Sequence, residues 1–207
     1  ALRNANQSSD YRIALEKMLE ESDQLIRIFN ALLMIARLEA GTERGDHVLF
    51  DLAASARDVA ELYEPVAEEA GVDLVVETSG EVLVSGSREL MGQALANLID
   101  NALKYGSPQK QGQRARVQVR VQRVGDKVEA SVVDQGSGIP AADRERVFGR
   151  FVRLEGSRSR PGSGLGLSLV AAVAGLHNGM VKIEDNEPGL RIVVVIPAAA
   201  AEANPLD

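Results

Sequence analysis

Two asparagines and a lysine recur on one side of a strongly helical stretch, "SRELMGQALANLIDNALKYG", residues 87–106. Asn97, Asn101 and Lys104 are spaced i, i+4 and i+7, so a helix places them along one face with Tyr105 beside them. Asparagine is a mediocre helix former, so two in one helix interior indicate a function. An amide oxygen suits Mg²⁺ and an ammonium group suits phosphate. A solvated polar face is the alternative interpretation.

A carboxylate ends an apolar strand in a second stretch, "SVVDQGSGIP", residues 131–140. Asp134 is followed by Gly136, Gly138 and Ile139, so the turn after the carboxylate carries few side chains. Glycines let a ligand come close to the main chain. The stretch alone fits either an ordinary strand end or a site where a planar polar molecule lies against the backbone.

Three glycines precede and open an apolar helix in "RPGSGLGLSLV", residues 160–170. They are Gly162, Gly164 and Gly166, and the free N–H groups of a helix start attract anions. No Gly-Lys-Ser/Thr follows, which excludes a Walker loop. The polar segment before the glycines is no strand, which excludes a dinucleotide-binding fingerprint.

One long helix is predicted over residues 10–40, with Asp10 as its N-cap and Gly41 as its C-cap. Its apolar residues alternate spacings of four and three, and a second stripe widens the apolar face as in a four-helix bundle. The sequence contains no second long helix, so we expect the partner to be another copy of the chain or sequence outside this stretch. The two stripes are Tyr11, Leu15, Met18, Ser22, Leu25, Phe29, Leu32 and Ala36, and Leu19, Ile26 and Leu33.

The sequence from residue 46 onward predicts an α+β fold, with a mixed or antiparallel sheet covered by helices on one face. Asp51 is the expected N-cap of a helix over residues 52–70, and strands are expected at "VDLVVET" and "VLVS". A hairpin turns at Gly125–Asp126. A short helix is expected near 141–148 and a longer one over 164–176. Strands are expected near 180–185 and 190–196, and a frayed tail from Ala198.

Composition restricts the class of protein. The 207 residues carry a net charge of −7, which argues against a nucleic-acid partner, and the absence of cysteine fits the cytosol. No apolar run has the length of a membrane span, and no signal peptide is evident at the first residues.

The three motifs occur in a fixed order, with "VFGRFVR" at residues 147–153 between the second and the third. Together they resemble the N, G1, F and G2 boxes of the sensor histidine kinases. Those kinases share the Bergerat ATP-binding fold, an α/β sandwich, with gyrase-type and MutL-type ATPases. Residues 46–197 resemble the catalytic ATP-binding domain. Residues 1–45 contain a helix that resembles the second helix of the dimerisation and phosphotransfer hairpin. Residues 198–207 are then expected to be a disordered tail.

The resemblance implies ATP and Mg²⁺ as ligands. Asp134 would accept a hydrogen bond from the adenine amine, and Asn101 would hold Mg²⁺ with Asn97 lining the same site. Lys104 would meet phosphate and Tyr105 would pack near the nucleotide. The remaining implied nucleotide-binding residues belong to the G1 box, the F box and the G2 box: Gly136, Gly138, Ile139, Arg150, Phe151, Arg153, Gly162, Ser163, Gly164, Leu165, Gly166 and Leu167. By analogy, Arg150 would reach the γ-phosphate, whereas Arg158 and Arg160 fit ordinary surface charge equally well.

Within this resemblance, the residue type at position 97 distinguishes a kinase from an enzyme that hydrolyses ATP, and here it is Asn97. The gyrase-like relatives carry a water-activating glutamate four residues before the metal-binding asparagine, and an amide has no useful basicity. Neither His47 nor His177 has the surroundings of a phosphoacceptor, so we expect the acceptor helix upstream of residue 1 and no autophosphorylation of this chain. The alternatives are a catalytically silent nucleotide-binding module and a same-fold serine kinase or ATPase.

The resemblance also implies partners and a location. The expected partners are a second copy of the chain, bound through the long N-terminal helix, and a response-regulator receiver domain that takes the phosphate onto aspartate. Contact with a membrane would come only through segments outside this sequence. The expected location is the cytoplasmic part of a bacterial sensor.

Overall fold

The computed structural model describes residues 2–40, 48–106, 114–154 and 162–199. The helices are α1 (Leu2–Glu39), α2 (Leu52–Glu69), α3 (Arg88–Tyr105) and α4 (Gly166–Leu176), with 3₁₀ turns at Ala141–Asp143 and Arg146–Phe148. The strands are β1 (Val48–Asp51), β2 (Val72–Thr78), β3 (Leu83–Gly86), β4 (Ala115–Val124), β5 (Lys127–Val133), β6 (Met180–Asp185) and β7 (Leu190–Pro197).

Five strands form one mixed sheet in the order β2-β4-β5-β7-β6. β2 runs parallel to β4, and the other neighbouring pairs are antiparallel. The short strands β1 and β3 form a separate antiparallel pair. The predicted α+β fold with a mixed sheet is confirmed.

Alternate residues of the central strands form the core with the helices, as the period of two of a strand requires. Val117, Val119 and Val121 of β4 are fully buried, and so are Met91 and Leu95 on the predicted apolar stripe of α3. Fully burying such an aliphatic side chain contributes about 1.5–3 kcal/mol. The rest of the sheet's inward face and of the stripe is also buried, at Val128, Ala130, Val132, Ile192, Val194, Ile196, Leu98 and Ala102.

Local capping signals gave most of the element boundaries. Asp51 accepts a hydrogen bond from Ala53 N–H at 2.9 Å and caps α2 as predicted. Ser87 accepts one from Leu90 N–H at 3.3 Å and caps α3. The predicted helix near 141–148 is instead two 3₁₀ turns, and α4 begins at Gly166 rather than at residue 164. Gly164 has a φ of +72°, which no residue inside a right-handed helix can adopt.

The N-terminal helix differs from its prediction at the start. It runs from Leu2, so Asp10 lies inside it, and the predicted N-cap was wrong. Residues 2–9 contain neither proline nor glycine, so no helix-breaking residue interrupts the helix between Leu2 and Asp10. The predicted C-cap, Gly41, lies outside the described residues.

The two ends of α1 have different surroundings. Near its C-terminal end Ile35 and Leu38 are buried, and this end contacts α4. Further towards the N-terminus Ile28 and Leu32 are still partly buried against the core, whereas several large apolar side chains are exposed: Tyr11, Leu15, Met18, Leu19, Leu25, Ile26 and Phe29. Within the described part of the chain, no helix is both long and apolar enough to span a bilayer.

The last described residues are attached to the fold. Ala198 N–H donates to Asp126 O at 2.9 Å, and Ala199 N–H donates to Leu83 O at 3.0 Å. Both alanines belong to the segment predicted as a tail, and residues 200–207 lie outside the described residues.

Candidate active site

A cleft of about 760 Å³ opens between α3, the end of β5 and the start of α4. It brings together residues from all four motifs, although they are far apart in sequence. The predicted site residues that line it are Asn97, Asn101, Lys104, Tyr105, Asp134, Gly138, Ile139, Arg153, Gly162, Ser163, Gly164, Gly166 and Leu167. Residues 155–161, including Arg158 and Arg160, lie outside the described part.

Asp134 lies at one end of the cleft, which we call the base end. Its Oδ1 accepts a hydrogen bond from Gly136 N–H at 2.8 Å. Burial raises the pKa of its carboxyl group above the ordinary 3.8, and backbone hydrogen bonds at Gly136 and Leu190 oppose the rise. The carboxylate lines the cleft, so a ligand there can donate a further hydrogen bond to it.

Gly136 supports the base end without lining the cleft. A Cβ at this position would lie 2.2 Å from the carbonyl oxygen of Tyr105, the last residue of α3. Only a glycine allows the turn after Asp134 to pack this closely on the helix. Its expected contact with the nucleotide stays a prediction.

The paired amides of α3 lie at the other end, which we call the phosphate end. Asn97 Nδ2 donates to Gln93 O at 2.9 Å, one turn back along α3. A Cβ built on Gly166 would lie 3.2 Å from Asn97 Oδ1 and 3.4 Å from Asn101 Nδ2. Both amides therefore face the first residue of α4, where free backbone N–H groups favour an anion. Neutral amide oxygens beside an anion site are chemically suited to a Mg²⁺-phosphate group.

Lys104 pairs with Asp100, which the sequence reasoning missed. The Nζ and Oδ2 atoms are 2.6 Å apart, and the two side chains are 38% and 41% exposed. The i, i+4 spacing on one helix is the signal that could have found the pair. Asp100 also acts on a residue of α2. The pKa of the Tyr63 phenol is raised mainly by burial and further by the charge of Asp100.

The F-box residues are only partly brought to the site. Arg153 lines the cleft, whereas Arg150 and Phe151 do not line it. Phe151 has a φ of +62°, rare for an aromatic residue, and its side chain is 56% exposed. A Cβ on Gly164 would lie 2.8 Å from the carbonyl carbon of Phe151, so glycine lets the two segments pack backbone to backbone. Leu165 is buried in the core rather than in the cleft.

An arginine holds the loop after Asp134 from outside the motifs. Arg144 Nε donates to Ile139 O at 3.2 Å, and its Nη2 pairs with Asp185 at the end of β6. Nothing in the local sequence marked Arg144, because its ion pair with Asp185 depends on where β6 lies in the sheet.

His177 has a structural role, as its sequence context predicted. It is 3% exposed, its Nδ1–H donates to Val173 O at 2.8 Å, and its Nε2 accepts from Ser87 N–H at 3.0 Å. The ring therefore joins the end of α4 to the start of α3. A Cβ on Gly86 would lie 2.1 Å from the ring Cδ2. His47 lies outside the described residues.

Comparison with known proteins identifies the family of this chain. The family described as "Histidine kinase-, DNA gyrase B-, and HSP90-like ATPase" matches residues 86–200. The probable sensor protein PcoS of Escherichia coli is 36% identical over 89% of this chain and 38% of its own length. The sensor protein IrlS of Burkholderia pseudomallei is 34% identical over 97% of this chain and 42% of its own length. The chain thus spans less than half the length of these relatives.

A solved structure shows the same architecture. Full-length ShkA, crystallised in complex with AMPPNP, superposes with a TM-score of 0.75 at 27% identity. The match covers 88% of this chain and 37% of ShkA. The family match, the sensor-kinase relatives and the four boxes around one cleft agree. The chain belongs to the histidine kinase-, DNA gyrase B- and HSP90-like ATPase family, as an ATP-binding catalytic domain of the sensor histidine kinase type.

Proposed function

We propose that this chain binds ATP with Mg²⁺ in the cleft and donates the γ-phosphate to a histidine, as part of a two-component signalling kinase. The observation that carries the proposal is the make-up of the cleft. One end has a partly buried carboxylate that lines the cleft, and the other has two amides facing a glycine-rich helix start.

The base end is suited to adenine. Asp134 Oδ2 would accept a hydrogen bond from the exocyclic amine, whereas guanine or hypoxanthine would present a carbonyl oxygen there. Two acceptors facing each other in a buried site are strongly disfavoured, so the carboxylate selects for the amine.

The phosphate end is suited to a metal-bound triphosphate. Asn101 would hold Mg²⁺, with Asn97 beside it, and the N–H groups at the start of α4 and Lys104 would bind phosphate oxygens. When bound, Mg²⁺ would supply positive charge that offsets the negative charge of the phosphates. Arg153 lines the cleft and is better placed for a phosphate contact here than Arg150.

Asn97 favours transfer over hydrolysis. A general base within reach of water would be needed for hydrolysis, and an amide cannot take the proton. The phosphate would therefore pass to an acceptor brought to the cleft from elsewhere. His177 is unsuited to that role because it is buried and both ring nitrogens are hydrogen-bonded.

The exposed apolar stripe of α1 supports the proposed homodimer. An apolar face this long needs a partner, and a second α1 would bury it as in a four-helix bundle. We place the working protein in the cytoplasm, where ATP and a receiver domain with its acceptor aspartate are available.

Phosphate transfer to a supplied acceptor tests the proposal. The chain is incubated with Mg²⁺, γ-labelled ATP and a separately produced helical hairpin that carries an acceptor histidine. We expect acid-labile label on the hairpin and no stable label on the chain alone. Stable labelling of the chain itself would contradict the proposed acceptor, and absence of Mg²⁺-dependent ATP affinity would contradict the function.

A further inference from the structure

The turn between β6 and β7 holds the backbone of Asp134. Asn186 Nδ2 donates to the Asp134 carbonyl oxygen at 2.8 Å. Asp134 N–H donates in turn to the carbonyl oxygen of Leu190, the first residue of β7, at 2.9 Å. Both polar backbone groups of Asp134 are therefore bonded to the segment of residues 186–190.

Hydrogen bonds within this segment hold its turn together, and the segment packs closely on Asp134. Asn186 N–H donates to Gly189 O at 3.3 Å, and Asn186 Nδ2 also donates to Pro188 O at 3.4 Å. A Cβ on Gly189 would lie 1.9 Å from the Asp134 carbonyl oxygen, so no other residue type fits there without a backbone shift. The amide of Asn186 is thus fixed by its own turn before it reaches Asp134.

The anchoring determines where the carboxylate can be. With the backbone of Asp134 held on both sides and Oδ1 bonded to Gly136 N–H at 2.8 Å, the position of Oδ2 follows from the position of the peptide. Hydrogen bonding to a ligand depends steeply on distance and angle. A small rotation of the Asp134 peptide would therefore weaken recognition of the base without unfolding the domain.

We propose that Asn186 is a positioning residue for base recognition: its amide orients the Asp134 peptide so that the carboxylate meets the adenine amine. Asn186 lies outside all four motifs. The proposal rests on the proposed function, because it assigns the carboxylate of Asp134 to the base.

The experiment compares binding of ATP and of inosine triphosphate, which has a carbonyl in place of the exocyclic amine. Dissociation constants of the 207-residue chain are measured by calorimetry with Mg²⁺ for the unaltered protein, Asn186→Ala and Asn186→Asp. Both variants lack the donor, and Asp keeps the shape. The charge that Asp adds acts alike on both nucleotides, so the ratio of the two constants cancels it. Glu187→Gln, an exposed change in the same turn, is the matched control.

We expect the preference for ATP over inosine triphosphate to fall about tenfold in both Asn186 variants, the usual scale for one misplaced hydrogen bond to a charged group. Glu187→Gln should keep the preference. A lowered melting temperature with an unchanged preference in both variants would overturn the proposal, and so would an equal loss in Glu187→Gln.

Failure of the proposed function gives a different result. If the unaltered chain does not prefer ATP, or if Asp134→Asn keeps the preference, then Asp134 does not read the base and both proposals fail. If Asp134→Asn loses the preference and the Asn186 variants keep it, only the role of Asn186 is overturned.

Discussion

The two ends of the cleft are built in different ways. At the base end, Asp134 is partly buried, and its backbone and one carboxylate oxygen are bonded to Gly136, Asn186 and Leu190. At the phosphate end, the polar groups belong to helix surfaces, and the Lys104–Asp100 pair is more than a third exposed on both sides.

This difference separates selectivity from charge neutralisation. A partly buried carboxylate that is held by its backbone and by one oxygen discriminates by geometry, since a mispaired group there cannot easily turn to water. Exposed charges near the phosphates act over a longer range and are screened by salt. Changes at the base end should therefore alter which nucleotide binds, and changes at the phosphate end should alter how strongly any triphosphate binds.

Asp134→Asn is expected to have the largest effect. Gly136 N–H would still donate to the oxygen of the new amide. The Nδ2 group would then face the adenine amine, and both groups are hydrogen-bond donors. ATP affinity should fall about a hundredfold, or about 2.7 kcal/mol, and the preference over inosine triphosphate should disappear. Calorimetric titration measures both. An equal loss for the two nucleotides would show that the residue does not read the base.

Asn101→Ala tests the phosphate end. Without the amide oxygen we expect the gain in ATP affinity from Mg²⁺ to fall about thirtyfold, or about 2 kcal/mol. The affinity measured in EDTA should change little and serves as the internal control. The ratio of ATP to inosine triphosphate should stay the same, and a changed ratio would contradict the separation of the two ends.

Gly166→Ala should have a smaller effect on the same end. The added Cβ would lie 3.2 Å from Asn97 Oδ1, so the amides must shift by a few tenths of an ångström. We expect a loss of Mg²⁺-ATP affinity of about fivefold. Gly175→Ala lies on the same helix with nothing within 4 Å of its Cβ and is the control. Equal affinities of the two variants would show that contact with the amides is unimportant.

Asp100→Asn should weakly strengthen binding. Removing the carboxylate leaves Lys104 without its 2.6 Å partner and removes a negative charge from the cleft. We expect about twofold tighter ATP binding at low salt, decreasing at high salt, and less than about 1 kcal/mol change in unfolding free energy. Titrations at two salt concentrations measure it. Weaker binding would indicate that Asp100 holds Lys104 in its working position.

The stability of the free protein should report the buried charge of Asp134. Because its pKa is raised above 3.8 in the folded state, the ionised carboxylate opposes folding at neutral pH. Asp134→Asn should therefore be at least as stable as the unaltered chain at pH 7. The stability advantage of Asp134→Asn should shrink as the pH falls through the pKa of Asp134 in the folded state towards 3.8. Urea denaturation across this pH range tests the sign, and an advantage that grows on acidification would contradict it.

Local sequence signals predicted the helices and strands better than they predicted the long-range contacts between them. Asp51 and Ser87 were recognisable as caps or helix starts because the capping bond of each lies within three residues. The parallel pairing of β2 with β4 was not predictable, because strand periodicity does not say which strands are neighbours. Asp10 shows the opposite error, since a good capping residue does not start a helix where the preceding residues continue it.

The same limit applies to the site. Asn97, Asn101 and Asp134 were identified from residue type and spacing, and all three line the cleft. Asn186 was missed because it contacts a residue 52 positions away. Arg150 and Phe151 do not line the cleft, so their contacts with the nucleotide stay predictions, and the backbone of Phe151 packs against Gly164.

The contact between His177 and Gly86 constrains how this domain can diverge. A side chain at residue 86 and a ring at residue 177 would occupy the same space, so neither position can be exchanged freely while the other is kept. Descendants that acquire a larger residue at 86 must also give up the imidazole and find another acceptor for the Ser87 amide. Over evolutionary time the two sites should therefore change as one unit, although the histidine is 90 positions away from the amide that it accepts from.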